Sequence, residues 1–481
     1  MGRALRVSAP ALLRCLSTST AFKANKATAP YSNPQDLWFP NTSKSATGEV
    51  RWGDEKLSVR LGDGEWATPV PHLWLRDSCA CAHCVDPDSG QKNFSTTDLP
   101  DVPTLESAEV TPDGSLQLVW ANDAPSGGAA HTTVYAAQEV EDLLHTRWQR
   151  GRVAERDDAI PWNRSMYEGL LAEGRCRVSY KDWIAGGAEF WAALIDLRQT
   201  GLIFVTDVPS DETEVERIAT RIGPLMHTFY GWTWDVRSKP QAENVAYTSK
   251  FLGLHQDLMY HDPVPGLQLL HCLHNSCEGG ESLFSHGVRA AYEMKLDQPD
   301  AYDTLRKTRA WFGYHKGEHH YIAARPTIMT SADAHPRETR WAPPFQITFP
   351  PHHRGARMLD WKRAATAFQT IVEAERNMVE VKLKPGECVI FENRRVLHGR
   401  RQFAAGGGGE RWLKGTYVSQ QNYIAAATRL AEYMRAGGME QRADRTGWKV
   451  EDIVRKSMQQ QLREADMEWS KPQRQGTNKA E

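Results

Sequence analysis

Two histidines and an aspartate are the residues of this chain whose types and spacing could do oxidative chemistry. His255 and Asp257 stand two positions apart, and on an extended backbone alternate side chains point the same way, so both could face one point in space. His398, in the segment RVLHGR at 395–400, is the candidate third ligand. Two imidazoles and one carboxylate on one face of a metal ion leave the opposite positions open, as in non-haem Fe(II) oxygenases. The three residues therefore predict an iron site.

Three cysteines crowd together in the first third of the chain: Cys79, Cys81 and Cys84 fall within six residues. In a reducing compartment such crowding indicates a metal more than a disulfide, and three thiolates can converge on one Zn²⁺ ion. The fourth ligand must come from elsewhere, and His83 and His131 are both available. Zinc with four protein ligands would stabilise a small domain rather than react. The alternative is that these cysteines are free and partly buried.

The bulk composition excludes several classes of partner. The 481 residues predict two or three domains, and Lys+Arg 58 against Asp+Glu 60 gives no electrostatic reason to expect nucleic acid or a membrane surface. No apolar run approaches the roughly 18 residues that suggest a membrane span. We therefore predict neither nucleic acid nor a membrane as a partner.

The first 35 residues have the composition of a targeting segment. No acidic residue precedes Asp36, and five basic residues are present: Arg3, Arg6, Arg14, Lys23 and Lys26. This composition is typical of a mitochondrial transit peptide, and the alternative is a merely disordered basic N-terminus. We therefore assign residues 1–35 to a transit peptide and linker, and the protein to the mitochondrial matrix.

Hydrophobic patterning divides the rest of the chain into three parts: a small β-rich domain over 48–140, a larger domain over 150–435, and a charged helical tail over 436–481. In the larger domain we expect strands over 201–206, 265–273 and 412–418, a strand, Pro-Gly turn and strand over 381–391, and helices over 210–222 and 360–378. The strand over 265–273 should be half-buried, and Asp211 with Glu214 should form a capping box for the helix over 210–222. Strands that return a distant histidine to a His-x-Asp segment suggest a double-stranded β-helix, a jelly-roll relative.

Several sequence blocks carry a family resemblance. They are LWLRDSCACAHC, TFYGWTW, ENVAYT, LGLHQDLMYHDPVPGLQLLHCL, GGESLF, and NRRVLHGR followed by RWLKGTY, spanning residues 73–417. Taken singly each block is weak, but their common order and spacing are specific. Together they resemble the γ-butyrobetaine dioxygenase and trimethyllysine dioxygenase family, the 2-oxoglutarate oxygenases of carnitine biosynthesis.

The resemblance implies a mainly β protein with α-helices: a catalytic jelly roll plus a small β-rich, zinc-binding N-terminal domain. It implies Fe(II), 2-oxoglutarate and O₂, with ascorbate as reductant. The implied metal ligands are His255, Asp257 and His398 for iron, and Cys79, Cys81, Cys84 and His131 for zinc.

The resemblance also implies that Arg411 holds the distal carboxylate of 2-oxoglutarate. A planar guanidinium grips a carboxylate with two parallel hydrogen bonds, which a lysine cannot make. Arg400 and Arg401 compete for part of this role, and the alternative for Arg411 is a surface ion pair.

For the substrate, the resemblance implies an aromatic cage around a trimethylammonium group. A quaternary ammonium cannot donate a hydrogen bond, so electron-rich ring faces are its natural partners. Asn244 matches a residue that contacts the substrate carboxylate in butyrobetaine enzymes, whereas the trimethyllysine branch tends to have an acidic residue there. The cage positions are Tyr230, Trp234, Tyr247 and Tyr417.

The sequence departs from the family pattern in two places. Pro350 and Pro351 occur where the butyrobetaine enzymes have a second asparagine, and prolines cannot replace amide donors; His286 stands where relatives often carry an aspartate. We expect a dioxygenase that hydroxylates a trimethylammonium carboxylic acid, with γ-butyrobetaine to L-carnitine favoured. The alternatives are a trimethyllysine dioxygenase or another betaine hydroxylase and, in a different class, an inactive oxygenase-fold zinc-binding protein. The resemblance also suggests a homodimer, which the helical tail after Tyr423 could support.

Overall fold

The computed structural model describes residues 39–121, 123–144, 159–237, 250–331, 334–349, 356–403 and 410–435. The predicted transit peptide, the tail after residue 435, and Asn244, Tyr247, Pro350 and Pro351 lie outside the described residues. The contacts divide the chain into one unit that ends at Arg152 and a second that begins at Val153. Over the described ranges, no helix combines the length and the apolar character needed to cross a membrane.

The first unit contains two antiparallel sheets, with strand orders β1-β2-β3-β4 and β5-β6-β7. Burial alternates along its strands, and the buried side chains of both sheets, Trp120 and Tyr135 among them, form one hydrophobic cluster. The elements are β1 Asn41–Lys44, β2 Gly48–Trp52, β3 Lys56–Leu61, β4 Val70–Pro71, α1 His72–Asp77, β5 Thr104–Val110, β6 Leu116–Ala121, β7 His131–Tyr135 and α2 Ala137–Leu144.

The second unit alternates helices and strands before its strands close into sheets. Its helices are α3 Arg164–Ala172, α4 Tyr180–Ala185, α5 Ala188–Thr200, α6 Glu214–Thr220, α7 Gly287–Asp297, α8 Pro299–Lys307, α9 Ala356–Val372 and α10 Gln420–Arg435. Its strands are β8 Arg177–Ser179, β9 Leu202–Thr206, β10 Thr233–Arg237, β11 Leu252–His255, β12 Leu267–Asn275, β13 Ser282–His286, β14 Arg309–Lys316, β15 His319–Pro326, β16 Ile328–Thr330, β17 Pro336–Thr339, β18 Met378–Val381, β19 Cys388–Glu392, β20 Val396–Arg400 and β21 Arg411–Val418.

Two of its sheets give the predicted double-stranded β-helix. The major sheet has the order β10-β21-β12-β19-β9-β8, and the minor sheet has the order β11-β20-β13-β18. All neighbouring strands in both sheets are antiparallel except β8 and β9. The last three strands of the chain therefore carry distant residues back beside β11 and β12.

Two local predictions are wrong. Strand β12 is buried at seven consecutive residues rather than on one face, because the cluster that covers it includes side chains from α3, α5, α6 and α10. The strand, Pro-Gly turn and strand predicted over 381–391 are present as β18 and β19, which pair with other strands: β18 with β13, and β19 with β12 and β9. Helix α6 begins at Glu214 with Thr213 as its N-cap and no side-chain cap, while Asp211 Oδ1 accepts from the backbone N–H of Thr213. No capping box is therefore formed.

Candidate active site

Strand pairing brings the two candidate histidines together. His255 on β11 and His398 on β20 are direct cross-strand partners, and their ring centroids are 4.3 Å apart. The close approach of β11 requires a glycine after His398, because a Cβ at Gly399 would lie 2.7 Å from the carbonyl oxygen of Leu252. The predicted third ligand, Asp257, joins them: the ligand atoms of all three lie within 4.8 Å of one another.

Asp257 lies in the turn that follows β11 and is held through its backbone. Asn393 Oδ1 accepts from the backbone N–H of Asp257 at 2.8 Å, and Asn393 Nδ2 donates to its carbonyl at 2.9 Å. The next residue, Leu258, has a φ of 58°, in the left-handed region that non-glycine residues seldom adopt. The chain therefore turns sharply straight after presenting this carboxylate.

Three acceptor atoms converge on one point in this arrangement. His255 Nδ1 lies 2.9 Å from the carbonyl of Gly253 and can donate to it, which leaves Nε2 with a lone pair. That Nε2 lies 3.2 Å from Asp257 Oδ1, and His398 Nε2 lies 3.9 Å from the same oxygen. Such a set lacks a positive partner and fits a metal cation, with the second-sphere hydrogen bond from His255 fixing its tautomer.

The electrostatics keep these ligands in their metal-binding forms. Burial lowers the pKa of His398 to about 3, aided by the neighbouring His255, so its ring is neutral. Burial alone would raise the pKa of Asp257, but its contacts with His255, His398 and Tyr417 hold that pKa well below its ordinary value. A neutral imidazole and an ionised carboxylate are the species that bind a divalent ion.

One cavity contains this cluster together with a cationic end and an aromatic wall. It encloses about 800 Å³, counting solvent at its mouth. At the cationic end, Arg400 and Arg411 are 4% and 7% exposed. Burial and then the charge of Arg411 lower the pKa of Arg400 to about 10, and burial lowers the pKa of Arg411. Within the described ranges Arg411 has no carboxylate partner and its Nε has no hydrogen bond, so an anionic ligand fits this end.

Arg401, the third arginine considered for the anion, lies elsewhere. Its guanidinium is half-exposed and forms an ion pair with Glu380 at 2.8 Å. A surface ion pair is the alternative role that the sequence allows for Arg411. The structure instead places Arg411 in the cavity and Arg401 on the surface.

The aromatic wall contains three of the four predicted cage residues. Trp234 stacks on Tyr417 with ring centroids 4.0 Å apart, and Tyr230 lies 6.3 Å from Trp234. Tyr260, Phe284 and Phe345, which the sequence did not single out, also line the cavity. Burial, and then the neighbouring hydroxyl of Tyr230, raise the pKa of Tyr260.

The cysteine cluster of the first unit is assembled as predicted, and geometry selects its fourth ligand. Cys79, Cys81 and Cys84 have their sulfur atoms 3.4, 3.8 and 3.5 Å from His131 Nε2. His83 lies outside this group, with its ring 6.0 Å from that of His131. The three sulfurs and one imidazole match a closed tetrahedral zinc site.

A buried arginine supports the charge of this cluster. Arg76 Nη1 donates to Cys84 Sγ at 3.3 Å, and its Nε and Nη2 donate to the two oxygens of Asp123 at 2.5 and 2.8 Å. Arg76 is fully buried. A cation beside several thiolates offsets part of the negative charge that three such ligands bring to one ion.

Sequence reasoning missed two second-sphere residues and one cap. Gln268 and Asn393 both hydrogen-bond to Asp257, and each lies in one of the sequence blocks that carry the family resemblance. His286, which had no assigned role, is the N-cap of α7: its Nδ1 accepts from the backbone N–H of Arg289 at 3.2 Å. An aspartate could accept the same bond.

Comparison with known proteins agrees with this site. The family described as taurine catabolism dioxygenase TauD, TfdA matches residues 167–417, and the γ-butyrobetaine hydroxylase-like N-terminal family matches residues 49–136. Dioxygenase str8 of Strobilurus tenacellus is 32% identical, covering 72% of this chain and 82% of that protein.

Two further relatives are named for their substrates. The γ-butyrobetaine dioxygenase of Pseudomonas sp. (strain AK-1) is 29% identical over 77% of this chain and 92% of that protein. The trimethyllysine dioxygenase of Meyerozyma guilliermondii is 24% identical over 76% and 90%. Among solved structures, asparagine oxygenase (AsnO) aligns with a TM-score of 0.41 and 20% identity, over 50% of this chain and 81% of that one.

The iron-binding geometry, the fold and the matches along both units agree with one another. A dioxygenase family covers the residues from α3 to β21, which include every described cavity residue discussed above. Dependence on Fe(II) and 2-oxoglutarate follows from that family. The chain is a dioxygenase of the TauD/TfdA family, and within it belongs with the γ-butyrobetaine and trimethyllysine dioxygenases.

Proposed function

We propose that this enzyme hydroxylates a trimethylammonium carboxylic acid, with γ-butyrobetaine as the preferred substrate and L-carnitine as the product. The observation that carries the proposal is the shared cavity: the aromatic wall, the His255, Asp257 and His398 cluster and the arginine end all line it. Relatives that act on γ-butyrobetaine and on trimethyllysine support the same substrate class.

Each group of residues has a separate task in this reaction. When bound, Fe(II), 2-oxoglutarate and O₂ supply the oxidising chemistry, which inserts one oxygen atom into a C–H bond as 2-oxoglutarate becomes succinate and CO₂. His255, Asp257 and His398 would hold the metal, and Arg411 would hold the distal carboxylate of 2-oxoglutarate through paired hydrogen bonds.

The aromatic wall would bind the quaternary ammonium. Trp234, Tyr230 and Tyr417 present ring surfaces to a cavity whose described lining has one carboxylate, Asp257, and that group faces the metal position. Cation–π attraction by these rings would orient the substrate so that one C–H bond faces the metal, and holding that geometry lowers the entropic part of the barrier.

Two further assignments extend the proposal. The Cys79, Cys81, Cys84 and His131 cluster supports a structural zinc ion, because four protein ligands leave no open position. The basic, acid-free N-terminal sequence supports a mitochondrial matrix location.

A panel of three carboxylic acids tests the substrate. Succinate release and product mass are measured with γ-butyrobetaine, trimethyllysine and the neutral isostere of γ-butyrobetaine in which a carbon replaces the quaternary nitrogen. We expect γ-butyrobetaine to give the highest kcat/KM and the isostere to fall about 30-fold below it, because a desolvated cation–π contact contributes about 2 kcal/mol.

Each other outcome has a distinct meaning. A higher kcat/KM for trimethyllysine would move the substrate to that branch. Equal turnover of the neutral isostere would show that the wall recognises shape and not charge. No succinate from any compound, with iron bound, would overturn the proposal and favour an inactive binding protein.

A further inference from the structure

The carboxylate of Asp257 is held at one of its two oxygens. Oδ2 accepts hydrogen bonds from Gln268 Nε2 at 2.7 Å and from Tyr417 Oη at 2.8 Å, whereas Oδ1 faces the two histidines. Gln268 and Tyr417 are 2% and 1% exposed, so water does not compete for these bonds. Two buried donors satisfy Oδ2 and leave Oδ1 as the free ligand oxygen.

The pairing of β12 with β21 explains how two donors reach the same oxygen. Gln268 and Tyr417 are direct cross-strand partners in the major sheet, so their side chains stand side by side on one face. Asp257 follows β11 of the minor sheet. The hydrogen bonds therefore cross from one sheet of the jelly roll to the other and fix the carboxylate against it.

Tyr417 is also packed into the aromatic wall. Its ring stacks on Trp234, with 26° between the ring planes. Trp234 in turn lies over Gly415 on β21, where a Cβ would come within 2.5 Å of indole Cε2. Only glycine leaves room for the indole at this point, so the indole position and the Tyr417 ring position are fixed together.

We propose that Tyr417 and Gln268 are positioning residues that keep Asp257 a one-oxygen metal ligand, and that Tyr417 transmits the packing of the aromatic wall to the metal site. Without these two hydrogen bonds the carboxylate could rotate and turn Oδ1 away from the two histidines, which would remove one ligand from the metal position. The identity of the wall's natural occupant rests on the proposed function, but the coupling between Trp234 and the metal does not.

Mn²⁺ binding measures this coupling without substrate or turnover. Mn²⁺ prefers oxygen and nitrogen ligands, so in zinc-loaded enzyme it leaves the thiolate cluster alone. Free Mn²⁺ is followed by electron paramagnetic resonance in the full-length protein. We expect Tyr417→Phe and Gln268→Leu each to weaken Mn²⁺ binding about tenfold, as loss of an outer-sphere partner typically does.

Tyr230→Phe is the matched control, because it removes a hydroxyl from the same wall, whereas the tyrosine hydroxyl that bonds to Asp257 is that of Tyr417. Its Mn²⁺ affinity should stay within about twofold of the wild-type value, since no hydrogen bond to a metal ligand is lost. Unchanged affinity in Tyr417→Phe, or an equal loss in Tyr230→Phe, would overturn the positioning role.

A double-mutant cycle tests transmission through the ring. Trp234→Leu touches no metal ligand, yet it should weaken Mn²⁺ binding about threefold because it removes the ring that holds Tyr417 in place. In the Tyr417→Phe background the same change should have no further effect. Additive losses in the double variant would overturn the transmission, as would no loss in the single one.

Unfolding of a variant and failure of the proposed substrate can each be distinguished from failure of the positioning role. Thermal unfolding identifies any variant that is not folded, and Trp234→Phe replaces Trp234→Leu in that case, with a smaller stacked area and a smaller expected loss. If none of the three carboxylic acids is hydroxylated but the Mn²⁺ losses occur, the proposed substrate fails and the positioning roles stand. Betaine hydroxylation without any Mn²⁺ loss would leave the function and overturn this inference.

Discussion

At the scale of single residues, the cationic end of the cavity most strongly restricts the kind of ligand that can bind. Arg400 and Arg411 are both buried, and burial lowers the pKa of each. The cavity lining contains no carboxylate at this end among the residues that the structure describes. A desolvated cation such as Arg411 is costly without counter-charge, so the site favours a ligand that carries negative charge.

Arg411→Lys should separate the role of geometry from that of charge. Lysine keeps the positive charge but cannot make two parallel hydrogen bonds to one carboxylate. We expect KM for 2-oxoglutarate to rise about 10- to 100-fold, because hydrogen bonds to charged groups contribute roughly 1.5–3 kcal/mol. The KM of the hydroxylated substrate should change far less. Succinate release at varied 2-oxoglutarate concentrations measures both constants.

Arg401→Lys is the control for this change. Its surface pair with Glu380 should contribute little, so KM should stay within about twofold of wild type. A wild-type KM in Arg411→Lys, or a comparable rise in Arg401→Lys, would contradict the assignment of the anion site to Arg411.

The metal-ligand residues could be predicted from the sequence, whereas their supports could not. His255, Asp257 and His398 form a recognisable ligand set because metals constrain residue type strongly. Gln268 and Asn393 support Asp257 through hydrogen bonds that depend on cross-strand register and on a turn. Glutamine and asparagine are ordinary polar residues, and nothing in their spacing predicts which oxygen they will contact.

At the scale of elements, strand β12 carries a second buried group on its way through the major sheet. His271 is fully buried, and neither of its ring nitrogens has a hydrogen-bond partner in the part of the chain that the structure describes. Burial lowers the pKa of His271 to about 4, although Glu214 and Asp211 act to raise it. Lys414 is its partner on β21. The imidazole is therefore neutral in the folded enzyme.

His271→Phe should reduce the loss of stability in acid. Because the folded pKa lies below the ordinary value of 6.5, the unfolded chain binds the proton first, and stability falls as the pH drops from about 6.5 to about 4. The His271 part of this loss is about 3 kcal/mol at most. Urea unfolding at pH 7 and at pH 4.5 should show a smaller difference in the variant.

His274→Phe provides the matched control on the same strand. His274 is exposed and stacks on Trp412, so replacing it leaves the buried imidazole of His271 in place. Its variant should keep the acid sensitivity of the wild-type enzyme. Identical acid sensitivity of His271→Phe and wild type would refute the buried-imidazole account.

Helices that cover a strand decide how its pattern should be interpreted. The alternation over 265–273 favoured a half-buried strand, yet helices cover the outer face of β12 and every residue from Leu267 to Leu273 is buried. In the first unit, by contrast, β6 and β7 keep the alternation that their sequences show. The sequence of a strand shows which of its side chains are polar. It does not show whether helices cover its outer face, because those helices come from residues far along the chain.

At the scale of the whole molecule, each unit contains its own ligand cluster, and the two clusters differ in donor chemistry. The first unit has three thiols and one imidazole, whereas the second has two imidazoles and one carboxylate. Soft sulfur ligands select zinc among the available ions, while the mixed set suits Fe(II) and keeps positions open. The enzyme should therefore hold two different metals, one for stability and one for chemistry.

Cys84→Ser should remove zinc without removing iron. Cys84 combines one of the three sulfur ligands with the hydrogen bond from Arg76, so its loss disrupts both the metal set and the buried charge network. Zinc content should fall to near zero, and the first unfolding transition should drop by about 10 °C or more, because structural zinc contributes folding energy directly. Elemental analysis and calorimetry measure the two effects, and Mn²⁺ titration measures the other site.

His83→Ala is the control, since His83 lies in the same segment but outside the four-ligand group. Its zinc content and unfolding transition should match those of wild type. Full zinc content in Cys84→Ser, or zinc loss in His83→Ala, would contradict the ligand set. The residue pattern alone left His83 and His131 both open, and the family resemblance favoured His131. The return of β7 toward α1 places His131 in the cluster.

The pairing of β11 with β20 has a consequence for how the enzyme matures. Strand β11 is at the edge of the minor sheet and meets β20 through Leu252 and His255, with an irregularity between them. An ion bound by His255, Asp257 and His398 would bridge this edge to its neighbour, adding a cross-link where the ladder is short. Iron binding would then stabilise the pairing of β11 with β20 as well as complete the catalytic site. Amide hydrogens near residue 255 should therefore exchange more slowly once the ion has bound.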